Sequence, residues 1–581
     1  MDASADVIVR LILLGVIAII TIVAAGAFSK RLGVAAPIVL IVVGVGFSFI
    51  PGAPVQVPSQ VILLGLLPPI LYAAALSVPV VELRRNFATI SALSVGLVLL
   101  SAFVTALLLV AVLPRLDFAT ALAVGAVISP TDAVAATALG RRLGLPPRLL
   151  SILEGEGLVN DAAALVLLRS AISAIAATVS LWQVVGDFAF AVSSAVVLGL
   201  LVGVATVFIR SRLNDSVLET AISFAVPFIA FLPVQLIGGS GVLAVVVAGL
   251  YTGHRGAQHF SPQARTSERL NWRTIQFVLE NGVFLVVGVQ ITSIVSGVRE
   301  NEVSAAEAVG LGLVVTLVVV LVRFAFMAPL FLMLRQRRDR ADRRLTQFQT
   351  VVDAVEATAG SDDRRDRAVR SLKRKKTDYE QLRREGLGWR GGVILGWSGM
   401  RGVVTLAAAQ SLPENVPYRS QLILVAFTVA VVTLLVQGGT LPWIIRALRL
   451  RGVDPSEDRQ SLATLFDQLA EAGLLVLDNP RFTLPDGQVI DEDVVERVRT
   501  DTLRNVEAAR ERADHGAADE GLARSPERQY RELRREVLQA GREALLDARS
   551  AGTYPSRVLS RAQRLIDLEE TRLEQLDHPG S

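Results

Sequence analysis

Apolar runs of about 20 residues recur along this chain from Val7 to about Arg446, and they constrain its fold more than any other feature. A helix of that length crosses ~30 Å of hydrocarbon, where only helices or closed barrels can pair every backbone group internally. The apolar residues come in continuous blocks rather than stripes, and the chain is 52% hydrophobic with a mean hydropathy of +0.50. The expected fold is an all-α polytopic membrane protein. Length places about thirteen spans, near 7–28, 34–50, 61–80, 88–113, 119–139, 148–177, 183–209, 217–236, 238–253, 272–296, 306–334, 391–411 and 420–446. Gly238–Gly239 divides the eighth from the ninth. Asp2, Asp6 and Arg10 precede the first block in place of a positive segment, so it reads as a span; Ala24, Ala25 and Ala27 are the residues a signal cleavage site would use.

Loop charges orient these spans. Lys30 and Arg31, Arg84 and Arg85, Arg141, Arg142 and Arg148, Arg210 and Arg212, then Arg255, Arg265, Arg269 and Arg273 fall in alternate loops, whereas the intervening ones carry Arg115, Arg299 or Arg419. The positive-inside rule puts the N-terminus outside and the C-terminus in the cytoplasm of a plasma (inner) membrane protein. The insert 335–390 holds 17 basic residues, RQRRDR and KRKK among them, and reads as a cytoplasmic helical hairpin that also meets anionic lipid. Residues 451–581 mix Arg, Glu, Leu and Ala at helical spacing, as in LATLFDQLAEAGLLVLD, and read as a helical cytoplasmic region.

Composition excludes several classes. The formal charge of +4, with its basic residues between or after the apolar blocks, argues for a membrane surface and against nucleic acid. With no cysteine there are no disulfides, thiolate nucleophiles or Cys-bound metals. His254 and His259, placed in a loop, and His515 and His578, in the tail, make no case for zinc. No GxxxxGK[ST] phosphate loop occurs, so the chain reads as a secondary transporter driven by a gradient, not an enzyme, and no cofactor is expected.

The fifth, sixth, eleventh and twelfth spans carry charge at mid-membrane depth, where ionisable residues mark ion pathways or pair with one another. The fifth holds VISPTDAVAATAL: Pro130 removes a backbone donor, and Ser129 and Thr131 supply hydroxyls around Asp132. A helix interruption is expected there, and exposed carbonyls beside a carboxylate suit a hard cation. The sixth holds LEGEGLVNDAAAL with Glu154, Glu156, Asn160 and Asp161, and the eleventh holds Arg323. In the twelfth, LGWSGMRGVVTLAAAQ repeats the pattern of the fifth, a serine and three residues on a charge, with Arg401 where the other has Asp132. Chance likeness of small-residue strings competes with the alternative, an inverted repeat whose two interrupted helices meet at the site. Arg401 would offset dipoles and charge at that crossing. Glu154 and Asp161 share a helix face, which puts Glu154 along the access path; Glu156 points elsewhere and suits a structural pair with Arg323. Asp161 and Asp132, two carboxylates without a matching base, repel each other when both are ionised, so one of them can exchange a proton for a cation.

LPPILYAAAL from Leu67, ISPTDAVAATAL, LEGEGLVNDAAAL, Arg323 and GMRGVVTLAAA together resemble the monovalent cation/proton antiporters of the CPA1 type, the bacterial Na+/H+ exchangers of the NhaP kind related to animal exchangers. The resemblance implies an NhaA/NhaP-like homodimer with thirteen spans, two crossing interrupted helices, and a six-helix core that moves against a scaffold. It implies that Asp161 binds Na+ or H+, that Asp132 and the Thr131 carbonyl complete the site, and that Asn160 holds its geometry. The Asn-Asp pair implies electroneutral exchange, one H+ for one Na+. Ala73, Gly157 and Ala133 stand where relatives often have a carboxylate, a serine and a proline; fewer protein oxygens leave K+ and Li+ open beside Na+. The alternatives are a K+/H+ antiporter, a cation-coupled organic-acid symporter using Arg401 or Arg323, and a non-transporting membrane sensor.

Overall fold

The computed structural model describes residues 3–32, 35–49, 57–176, 181–213, 215–298, 303–357 and 388–450, with short stretches between 464 and 569. The chain divides into two compact units, Met1–Gly452 and Val453–Ser581. Among its described residues the first is built of helices and the turns and irregular segments between them. Its elements are α1 (Ala3–Leu32), α2 (Ala36–Ser48), α3 (Val61–Ser77), α4 (Val80–Arg85), α5 (Phe87–Val112), α6 (Phe118–Ile128), α7 (Val134–Arg142), α8 (Pro147–Ala176) and α9 (Leu181–Arg210). There follow α10 (Ser216–Leu236), α11 (Gly241–His259), α12 (Pro262–Val289), α13 (Ile291–Ser296), α14 (Ala305–Ala357), α15 (Trp389–Trp397), α16 (Val403–Gln410) and α17 (Arg419–Leu448).

Local chemistry explains where these helices start and stop. Asp117, Asp215, Ser240 and Ser261 each accept an amide from the first turn of the helix they precede, as at Thr120 with 2.9 Å and Val217 with 2.7 Å. Gly238 adopts φ +87°, which a side chain resists, and so turns α10 into α11 at the expected division. Pro68 and Pro69 lack amides, and the turns before them, Val61–Leu66, widen to π-helical bonding.

Eight helices among the described residues are long and apolar enough to cross a membrane, and Ala36–Ser48, Val61–Ser77 and Phe118–Ile128 are shorter apolar helices. Their outer surfaces are apolar as well: Ile12 is 62% exposed, Leu201 58% and Leu317 60%, a surface suited to lipid. Two packing sets divide the helices. One joins α1–α3 with α9–α12, where glycines bring α2 and α12 into backbone contact; a Cβ on Gly44 would stand 2.5 Å from the Leu285 carbonyl. The other joins α4–α8 with α14–α17.

Two expectations change. His254 and His259 lie within α11, not in a loop, because the Ser240-capped helix continues past the apolar run. Helix α12 starts at Pro262, ten residues ahead of the span placed from hydropathy, since its polar first turns still bond as helix. Helix α14 runs unbroken from the membrane span to Ala357, within the basic insert, and the rest of the expected hairpin, 358–387 with KRKK, lies outside the described residues. In the second unit the described stretches are helical, 473–477, 492–500 and 536–541 among them, and Arg534 meets Glu569 at 3.8 Å.

Candidate ion site

The fifth and twelfth spans are both interrupted, between α6 and α7 at Ser129–Ala133 and between α15 and α16 at Ser398–Gly402. Each interruption opens on a serine whose amide still closes the preceding helix, Ser129 onto Gly125 at 3.0 Å and Ser398 onto Ile394 at 2.8 Å. Pro130 then has no amide with which to continue the first helix, and Gly399 and Gly402 leave the second path free to extend. The two segments cross, tied by a bond from the Asp132 amide to the Met400 carbonyl, 2.7 Å. Only a glycine fits at 402, where a Cβ would stand 2.6 Å from both Cβ and Oδ2 of Asp132.

Helix ends of both signs meet here, and each charge sits at ends of the opposite sign. Asp132 accepts the Val134 amide, which opens α7, at 2.8 Å and touches Gly402, which precedes α16. Its carboxylate thus stands at two helix N-termini. Arg401, 2% exposed, donates from Nε to the Ile128 carbonyl ending α6 at 3.0 Å and from Nη1 to the Gly399 carbonyl. That satisfies carbonyls which the interruption would leave bare. Thr433 of α17 holds the Arg401 amide at 3.0 Å.

Helix α8 lies across both interruptions, and a Cβ on its Gly157 would stand 2.9 Å from that of Ala133. Asn160, 1% exposed, donates from Nδ2 to the Thr131 carbonyl and hydroxyl, 2.9 Å each. The Thr131 hydroxyl donates to Glu156 Oε1 at 2.8 Å. Glu156 receives both terminal nitrogens of Arg323, at 2.6 and 2.9 Å, and Arg323 Nε donates to the Leu395 carbonyl of α15 at 3.0 Å. A continuous buried chain therefore joins Asn160, Thr131, Glu156, Arg323 and α15.

Asp161 stands outside that chain. Half-buried, it lines a narrow cleft with Ala126, Val127 and Pro130 on one side, Leu165 and Leu168 on its own helix, and Val404 and Ala408 of α16. Among the described residues nothing donates a hydrogen bond to its carboxylate, which lies within electrostatic reach of Asp132. Asn160 Oδ1 is buried without a partner. Such oxygens suit a proton or a hard monovalent cation. No three His, Cys, Asp or Glu side chains gather as a metal-holding group among the described residues. Ala73, 4% exposed, packs with Leu158 and Ala162 and brings no oxygen. Glu154 lies nearer the start of α8, ion-paired to Arg141, whose side chain is 62% exposed.

Glu280 and Arg169 escaped the sequence reading, and Arg210, counted there among the loop charges, closes α9 and is buried. Glu280 of α12 is half-buried, holds Gln276 Nε2 at 2.7 Å on Oε1, and reaches Asp132 electrostatically. Its signal was a lone acid in QFVLENGVFLVV. Arg210, fully buried, bonds Glu268 at 2.5 Å and lies over the Phe260 ring at 4.0 Å. Arg169 of α8 donates to the Gly239 carbonyl at 3.0 Å.

Residues 16–447 match the transmembrane family of the sodium/hydrogen exchangers. An uncharacterised Na+/H+ exchanger of Mycobacterium tuberculosis is 30% identical, covering 96% of both chains. A sodium, potassium, lithium and rubidium/H+ antiporter of Bacillus subtilis is 30% identical over 54% of this chain and 48% of its own. The low-affinity Na+/H+ antiporter NhaS1 of Synechocystis is 25% identical, with 72% and 70% covered. In fold the chain is similar to the sodium proton antiporter MjNhaP1 of Methanocaldococcus jannaschii, with a TM-score of 0.53 and 15% identity over 75% of this chain and 99% of that one. A helical, multi-pass membrane protein without an enzyme's chemistry, the chain belongs to the sodium/hydrogen exchanger family of cation/proton antiporters.

Proposed function

We propose that this protein exchanges Na+ for H+, one for one, at a single site centred on the Asp161 carboxylate, with Asp132 and the oxygens of Thr131 and Asn160 around it. The observation that carries the reading is the surroundings of Asp161: a half-buried carboxylate with no hydrogen-bond donor among the described residues, in a cleft beside two crossing helix interruptions. An ionised carboxylate there binds a cation; a protonated one releases it. Either partner removes the charge that opposes movement through a low-dielectric barrier, so the same group couples the two ions. The six-helix core then carries the neutralised site past the scaffold of a homodimer in the plasma membrane. Glu156, Arg323 and Arg401 hold the crossing together, and Glu154 lies on the access path.

K+ and Li+ are further cargo on this reading. Ala73 and Gly157 contribute no oxygens, which leaves more water on the ion, and the Bacillus relative is named for four alkali cations. A carboxylate-bearing substrate is disfavoured: Arg323 is spent on Glu156 and Arg401 on backbone carbonyls. The test is exchange in proteoliposomes, read by a pH-sensitive dye as Na+, K+ and Li+ are added in turn. Wild-type protein is expected to answer at least Na+, and Asp161→Asn to answer none; normal exchange by that variant would remove Asp161 from its role. A rate that follows a valinomycin-clamped potential contradicts one-for-one exchange.

A further inference from the structure

We propose that Arg169 and Gln410 are positioning residues of the transport cycle: near one end of the molecule they clasp the helices of the interrupted crossing to the other packing set, and so set which face the Asp161 site opens to. The proposal rests on the Asp161 reading and adds to it the contacts that decide sidedness.

Arg169 follows from the site along α8. Asp161, Leu165, Leu168 and Arg169 recur at helical spacing and fall on one stripe, with Arg169 about 12 Å beyond Asp161 along the axis. The loop charges put that end outside. Arg169 is exposed, and among the described residues no carboxylate pairs with it; its Nη1 donates instead to the Gly239 carbonyl of the α10–α11 turn at 3.0 Å. Helix α8 packs with α4–α7 and α14–α17, and the turn packs with α9–α11, so this bond crosses from one set to the other. A second bond crosses at the same end. Gln410 Nε2, at the close of α16, donates to Gln290 Oε1, just past α12, at 2.9 Å.

Both acceptors are anchored in their own set. The Gly239 amide donates to the Val234 carbonyl at 2.8 Å and the Ser240 amide to the Ala191 carbonyl at 3.2 Å, and a Cβ on Gly239 would stand 2.5 Å from Ser194 Oγ. Gln290, 3% exposed, donates from Nε2 to the Val57 carbonyl ahead of α3 at 3.3 Å. Neither acceptor can follow a core that slides, so both bonds break when it moves.

The space beside the clasps gives their direction. A cavity of about 190 Å³ lies between the two sets, bordered by Arg169, by Phe231, and by Ser240 and Ser411, the neighbours of Gly239 and Gln410. Leu165 and Leu168 line both this cavity and the Asp161 cleft, so the cleft continues toward the outer end while the clasps are closed. The clasped arrangement is therefore the one that turns Asp161 outward. Losing the bond from an exposed guanidinium shifts such a two-state balance by about three- to tenfold, and losing a neutral amide pair by about two- to threefold. A smaller outward share weakens apparent affinity at the outer face relative to the cytoplasmic one, whereas a merely structural defect moves both faces alike.

The experiment uses the full chain in right-side-out and everted membrane vesicles, with the apparent KM for radiolabelled Na+ measured at each face. Arg169→Gln is expected to raise the ratio of the outer to the cytoplasmic KM about three- to tenfold and Gln410→Leu about two- to threefold, with Arg169→Lys between wild type and Arg169→Gln. A ratio in Arg169→Gln that is unchanged or moves the other way overturns the proposal. Where Arg169→Gln does not fold, a cross-link decides, since the chain has no native cysteine to interfere. Bridging Gln290→Cys to Gln410→Cys with a short bis-methanethiosulfonate is expected to stop exchange until a reductant restores it; undiminished exchange with the bridge formed overturns the proposal. Asp161→Asn is run alongside. Loss of exchange there with an unmoved ratio in Arg169→Gln sinks the clasps alone, whereas normal exchange in Asp161→Asn sinks the shared site on which they act.

Discussion

Glu156 and Asp161 lie on one helix, little more than a turn apart, in opposite surroundings. Glu156, 2% exposed, has the Arg323 fork and the Thr131 hydroxyl; Asp161 has a cleft. A buried charge persists only when it is paired or can be neutralised, so the first is a fixed structural charge and the second is free to change partner. The pair's energetics follow. Arg323→Ala strands the Glu156 carboxylate and is expected to cost about 3–5 kcal/mol, seen as a large fall in the Tm of the detergent-purified protein. Adding Glu156→Leu should recover most of that loss, because the stranded charge is gone. A double variant no more stable than Arg323→Ala would show that the pair contributes little beyond packing.

At the scale of the helical element, the crossing works because its charges match its dipoles. A half-helix leaves four carbonyls or four amides without partners at its broken end, and Arg401 and Asp132 occupy the C-terminal and N-terminal ends respectively. The Arg401 fork reaches two carbonyls at once, Ile128 and Gly399, which an ammonium on a lysine stem matches less well. The expected order of exchange rate is therefore wild type, then Arg401→Lys, then Arg401→Gln, with the last reduced at least about tenfold through loss of charge at the end of α6. Equal rates in all three would mean that backbone bonds alone hold the interruption.

Among its described residues the first unit presents apolar side chains outward and buries Glu156, Arg210, Arg323 and Arg401 between helices, the reverse of a water-soluble domain. Its orientation rests on loop arginines and is open to direct measurement because the chain has no native cysteine to confuse labelling. Arg142→Cys, beside the α7–α8 turn, and Asn415→Cys, between α16 and α17, are both exposed. In intact cells an impermeant maleimide is expected to label Asn415→Cys and to spare Arg142→Cys until the membrane is opened. The opposite pattern would invert the topology.

Much of this architecture is legible in the sequence. Hydropathy is a local property summed over neighbours, so the apolar runs marked the helices, and Pro130 with the glycines at 399 and 402 marked both interruptions, since a missing amide or side chain acts where it stands. Contacts between distant segments left a weaker trace: helical spacing turned Glu156 from the Glu154–Asp161 face and suited it to Arg323, but did not settle which arginine meets the acidic cluster. Arg323 and Arg401 look alike in the chain, each one cation in a small-residue or apolar run; only packing gives one to Glu156 and the other to the Ile128 carbonyl. Glu280 drew no attention for the same reason. Sequence by itself determined the membrane class, the helices and their breaks, because hydrophobicity and backbone chemistry are written residue by residue; the tertiary structure alone decided which charge meets which, because that depends on how helices far apart in the chain lie side by side.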